Sequence, residues 1–103
     1  MDHQRTGRLL TVRCLRDFNL MAVRHLTYRL HDATDIRIDL SHARLVDTEA
    51  VMALDALHRE GHSITLVNPP PLFDDVLDVL GLRDHFDGAL RIERHRTPDG
   101  SPA

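Results

Sequence analysis

The sequence predicts a small α/β fold: a single sheet, mixed but mainly parallel, with helices packed mainly on one face. Three observations carry this. Short stretches with an apolar residue at every second position recur along the chain, each followed by a stretch with apolar residues at helical spacing. Within the strand-like stretches the alternation is kept, so one side meets the core and the other is polar, whereas a strand covered on both faces reads as a continuous apolar run. Finally, 103 residues, 42% hydrophobic and 28% charged, suit one domain with one core.

Taken in order, residues 1 to 7 are polar and without periodicity and are expected to be loose. Arg8 to Leu15 alternates, with Leu10, Val12 and Cys14 on one side and Thr11 and Arg13 on the other, the period of a half-buried strand. Asn19 suits a helix N-cap, and Leu20, Val23, Leu26, Thr27 and Leu30 then fall on one stripe with Arg24, His25 and Arg29 opposite. This helix should end near His31 to Thr34. Asp35 to Leu40 alternates again, Ile36, Ile38 and Leu40 against Arg37 and Asp39.

A second helix after Thr48 places Ala50, Val51, Leu54, Leu57 and His58 on its buried stripe, turns Met52 and Asp55 outward, and meets a stop signal at Gly61. Ser63 to Val67 and Ala89 to Glu93 carry weaker strand alternation. Between them, Asn68-Pro69-Pro70-Pro71 is a turn running into a helix start, since proline is tolerated in a first helical turn. Leu72, Phe73, Val76, Leu77 and Leu80 form the buried stripe of that third helix, Asp74, Asp75 and Asp78 its wet side, and Gly81 its end. The tail from 96 to 103, rich in Pro, Gly and Ser, has the composition of disorder. Strands joined through helices pair in parallel, so the expected order is strand, helix, strand, helix, strand, helix, strand.

Composition narrows function. Thirteen basic and sixteen acidic residues are mixed along the chain for a net charge of −3, so no basic face is set aside for nucleic acid or an anionic membrane. A single cysteine, Cys14, excludes an internal disulfide, and no apolar run approaches a membrane span. The expected address is the cytoplasm, without membrane insertion. His58 and His62 are four apart, a ligand spacing on a helix, but Gly61 lies between them and no third ligand is fixed nearby, so no metal is expected. His31, His42, His85 and His95 fall in turns or ends and should be solvated. Cys14 on the inward side of a strand reads as a small buried hydrophobe. A Gly-rich phosphate loop, a nucleophile elbow and a paired-carboxylate motif are all lacking, so an enzyme, a catalytic residue or a bound cofactor is not expected.

What stands out is the run Val46-Asp47-Thr48-Glu49-Ala50, where a short loop crossing from the Asp35–Leu40 strand runs into a helix start. A helix N-terminus carries unpaired amide donors and a partial positive charge, so Thr48 there is either an ordinary cap or first-turn residue or a place where an anion is welcome. Asp47 and Glu49 equally suit the plain role of first-turn negative charge.

The runs Ile36-Arg37-Ile38-Asp39-Leu40, Leu45-Val46-Asp47-Thr48-Glu49-Ala50, Gly61-His62-Ser63-Ile64-Thr65-Leu66-Val67-Asn68 and Val76-Leu77-Asp78-Val79-Leu80-Gly81-Leu82 resemble, in order and spacing, a STAS domain. That is the fold shared by anti-sigma factor antagonists and the cytoplasmic parts of sulphate transporters. The resemblance covers residues 8 to 95, with Arg16-Asp17-Phe18-Asn19 a loose match to the family's Gly-Glu-Leu-Asp. It implies a bacterial protein-binding module that docks on a serine/threonine kinase-type anti-sigma factor and so regulates transcription, with the hydroxyl after the motif Asp as phosphoacceptor. That residue here is Thr48, and the partner-binding edge would be Asp47, Thr48, Glu49 and Met52. Two departures stand in the motif: Glu49 replaces a small hydroxyl residue and Ala50 replaces Gly. The other function compatible with the family is a constitutive adaptor subunit of a lipid-transport ATPase complex, with Thr48 unmodified. A homodimer stays open.

Overall fold

The computed structural model describes residues 2–30, 32–81 and 91–94. Leu82 of the terminal motif, the strand residues Ala89 and Leu90, His31, His85, His95 and the tail 96–103 lie outside the described residues. The elements run β1 (Asp2–Thr6), β2 (Leu9–Arg13), β3 (Asp17–Phe18), α1 (Leu20–Tyr28), β4 (Asp35–Asp39), β5 (Leu45–Val46), α2 (Thr48–Arg59), β6 (Ser63–Val67), α3 (Pro71–Leu80) and β7 (Arg91–Glu93). Strand order in the main sheet is β1-β2-β4-β6-β7, with β1 antiparallel to β2 and the others parallel to their neighbours. A second, two-stranded parallel sheet pairs β3 with β5.

Register turns the sequence alternation into a core. Leu10, Ile36 and Ile64 lie side by side, and Val12, Ile38, Leu66 and Ile92 form the next row. These rows pack in one cluster with Val23 and Leu26 of α1, Ala50, Val51, Leu54 and Leu57 of α2, and Phe73, Val76 and Leu77 of α3. Side chains of the opposite parity, Thr11, Arg37 and Thr65, point to the other face and are half-buried. There Arg37 of β4 reaches across β6 to Glu93 of β7, Nη2 to Oε1 2.7 Å. Burying one Leu or Ile stabilises by about 1.5–3 kcal/mol, against roughly 0–1 kcal/mol for a half-exposed ion pair. The apolar rows therefore decide which face takes the helices.

Local signals explain the element ends. The Asn19 side chain accepts from the Ala22 amide at 3.0 Å and caps α1. Pro70 and Pro71 open α3, and Gly81 closes it in the left-handed conformation, φ 69°. Among the described residues no helix is long and apolar enough to cross a membrane.

Several expectations are corrected. Residues 2–6, expected loose, form the edge strand β1, turned back on β2 through Gly7 at φ 61°. The side chains of His3 to Thr6 stay outside the core, so the strand shows no apolar alternation, and it is held instead by ladder bonds and by Arg5, which pairs with Asp32 and donates to the Leu30 carbonyl at 3.3 Å. Asp55, expected outward, is buried, and Arg59 one turn on meets its carboxylate at 2.7 Å. Leu72 is exposed because Phe73, Val76 and Leu77, at i, i+3 and i+4, fill the face toward the core. Thr27 is exposed too, its hydroxyl donating back to the Val23 carbonyl at 2.9 Å.

Candidate functional site

β5 ends at Val46 and the chain enters α2 at once, with Asp47 in extended conformation at the N-cap, Thr48 first in the helix and Glu49 second. The Asp47 carbonyl accepts from the amides of Ala50 (3.1 Å) and Val51 (3.2 Å), but its carboxylate makes no capping bond. Thr48 is therefore a first-turn residue and not the cap. Its amide and that of Glu49 lie at the end of the helix where no intrahelical acceptor exists, so the partial positive charge there is uncompensated by a side-chain cap. Asp47, Thr48 and Glu49 are all exposed. Met52, one turn on from Thr48 and hence on the same face, is 56% exposed. The structure thus brings the four expected partner-binding residues together on one helix edge.

Ala50 next to them is fully buried, with no positive φ. The backbone here does not use the freedom that Gly would give, and the Ala50 side chain packs in the core. Behind Met52, a cleft of about 240 Å³ runs between α2 and α3, lined by Met52, Asp55, Ala56, Arg59 and Leu80.

A second feature of this end of the molecule was not foreseen. β3 and β5 are two-residue strands, too short for a periodic signal, and they pair Asp17 with Leu45 and Phe18 with Val46. The ladder continues at both ends: the Arg44 amide donates to the Arg16 carbonyl at 3.0 Å, and the Asp47 amide to the Phe18 carbonyl at 2.9 Å. Phe18 and Val46 turn inward, whereas Leu45 and Asp17 turn out. Beside this ladder lie two clefts that share Leu15, Arg16 and Asp17. One, about 600 Å³, is completed by Cys14, Asn19, Met21, Ala22 and His25; the other, about 470 Å³, by Arg44. Leu15, an exposed apolar residue on the polar side of the β2 alternation, is the one sequence signal that could have pointed here.

Cys14 is buried, as its strand parity suggested, and its Sγ lies 3.5 Å from the Asp17 carbonyl. Burial pushes its thiol above the ordinary value, against the opposing effect of the Arg16 backbone. Little thiolate is present, so it is a poor nucleophile. His42 is exposed; His58 and His62 are half-buried. Among the described residues no group of three or more His, Cys, Asp or Glu side chains is placed to hold a metal ion.

No family model matches the sequence, and no curated protein matches it. In three dimensions the chain is similar to the anti-sigma factor antagonist SpoIIAA in its unphosphorylated form, with a TM-score of 0.62 over 98% of this chain and 93% of that one. The fold is STAS-like. Sequence identity over that match is 14%, so the likeness is one of fold. Within the STAS-like frame, the start of α2 and the β3–β5 ladder form one continuous edge.

Proposed function

We propose that this STAS-like chain is an anti-sigma factor antagonist-like protein-binding module, which docks on a serine/threonine kinase-type anti-sigma factor in the cytoplasm and is switched at Thr48. The observation that carries the reading is the placement of Thr48: an exposed hydroxyl at the first position of α2, beside uncapped helix amides, on an edge shared with Asp47, Glu49 and Met52. A fold in common with an anti-sigma factor antagonist supports the partner class. The likeness to a regulatory protein, and not a catalytic motif, supports binding as the activity.

The switch follows from charge. A phosphate on Thr48 adds roughly −1.5 to −2 units beside helix amides that favour it and between two carboxylates that oppose it. Amides stabilise the modified helix end while the concentrated charge repels a partner seated on it, so docking is lost with little change of fold. One observation favours the constitutive adaptor of a transporter complex as a second reading: Glu49 supplies permanent negative charge on the same edge. The experiment that separates them is incubation with the kinase-type anti-sigma factors of the same organism and ATP, read by intact mass. One added phosphate, absent in Thr48→Ala, is the expected result; no phosphate from any of them, or a phosphate that persists in Thr48→Ala, would refute the switch.

A further inference from the structure

Arg16 and Arg44 lie opposite one another just before the first rung of the β3–β5 ladder, and both line the cleft of about 470 Å³ with Leu15 and Asp17. Both are exposed, and among the described residues neither guanidinium has a carboxylate within ion-pair distance. Arg5, Arg13, Arg37, Arg59 and Arg94 each meet an Asp or Glu, and what sets Arg16 and Arg44 apart from the other exposed arginines is that they share one cleft. The wall sets two arginines against one aspartate, Asp17, and around it sit the exposed apolar side chains Leu15, Met21 and Leu45. Apolar area rimmed by unpaired charge is the make-up of a protein interface.

We infer that Arg16 and Arg44 form a second, basic half of the docking surface, which takes a carboxylate-bearing segment of the protein partner; this rests on the docking function proposed above. Distance ties the halves together. From Arg44 to Asp47 the chain is extended, so they stand about 10 Å apart along the strand. A stable interface covers about 800 Å² on each partner, a patch roughly 30 Å across and wider than that spacing, so a partner seated on Asp47, Thr48 and Glu49 also covers the two arginines. A guanidinium covered without a counter-charge costs free energy, whereas one facing a carboxylate gains a charge-assisted, bidentate bond. The partner surface that fits is therefore dipolar, basic or neutral opposite the start of α2 and acidic opposite Arg16 and Arg44, with an apolar side chain for the Leu15–Met21 cleft.

The test titrates the full chain against purified kinase-type anti-sigma factors of the same organism, comparing wild type with Arg16→Glu, Arg44→Glu, the double variant and Arg8→Glu. Arg8 is exposed at the opposite end of β2 and serves as the control. The double variant should bind at least about tenfold more weakly, chiefly through slower association, with a shallower salt dependence, while Arg8→Glu stays within about twofold. Glutamine at both positions, which removes charge without reversing it, should lose about threefold and covers the case where reversal unfolds the chain. Wild type that binds while the double Glu and Gln variants bind equally well, or a loss no larger than that of Arg8→Glu, overturns the basic half and leaves the docking function standing. Wild type that binds no such factor overturns the docking function, and this inference with it.

Discussion

The amide of Asp47 donates to the carbonyl of Phe18 at 2.9 Å, joining the first residue before α2 to the last residue of β3. With the Arg44-to-Arg16 bond at the other end, this zips residues 44–47 onto 16–18 and fixes the start of α2 against the segment that leads into α1. The proposed docking edge is thus held by backbone bonds, which would lower the ordering cost of binding a partner.

Asn19 continues that segment and caps α1 through the Ala22 amide. Asn19→Ala should cost about 1 kcal/mol of stability, measured by urea unfolding, with the α/β circular dichroism spectrum retained. No change in midpoint would mean that the capping bond is not made in solution.

Ala50 tests the motif's departure from Gly. Its side chain is buried in a helical first turn, so Ala50→Gly should destabilise by about 1 kcal/mol or more, from helix propensity plus lost packing. A stabilised Gly variant would show that the backbone there is strained.

Asp39 gives a pH dependence. Burial pushes its carboxyl up, but bonds from the Ser41 hydroxyl and amide, with Arg13 nearby, outweigh that and hold it below the ordinary carboxylate value. A folded-state value below the unfolded one stabilises the native state at pH above the ordinary value, and that contribution is lost as pH falls through the folded value. Ser41→Ala should therefore lower stability by about 0.5–1 kcal/mol at pH 7 and by less at pH 3, in paired denaturation curves. An equal loss at both pH values would contradict the assignment.

Glu49 already charges the edge, so Thr48→Glu should weaken partner binding by less than about tenfold, or about 1.4 kcal/mol, in a calorimetric titration. A much larger loss would mean that Glu49 faces away from the interface.

Legibility in the sequence followed the apolar residues. Leu10, Val12 and Cys14, and Ile36, Ile38 and Leu40, announced strands with one buried face, and Asn19 and Gly81 marked helix ends that the structure shows. The edge strand β1 was hidden because the side chains of His3 to Thr6 stay out of the core. β3 and β5 were hidden because two residues carry no period, and their pairing is tertiary. Asp55 was misjudged because a charged residue on a helix flank reads as solvated until its neutralising neighbour, Arg59, is seen beside it. In the site, the order Asp47-Thr48-Glu49 was readable as a helix start, but the meeting of Arg16 with Arg44 needed the fold.

The edge built from the start of α2 is proposed to dock on a kinase-type anti-sigma factor. The most direct measurement is a calorimetric titration of the full chain into each such factor from the same organism. Saturable binding to at least one of them, weakened when Thr48 carries phosphate, is the expected result; absence of binding to all of them would rule the docking function out.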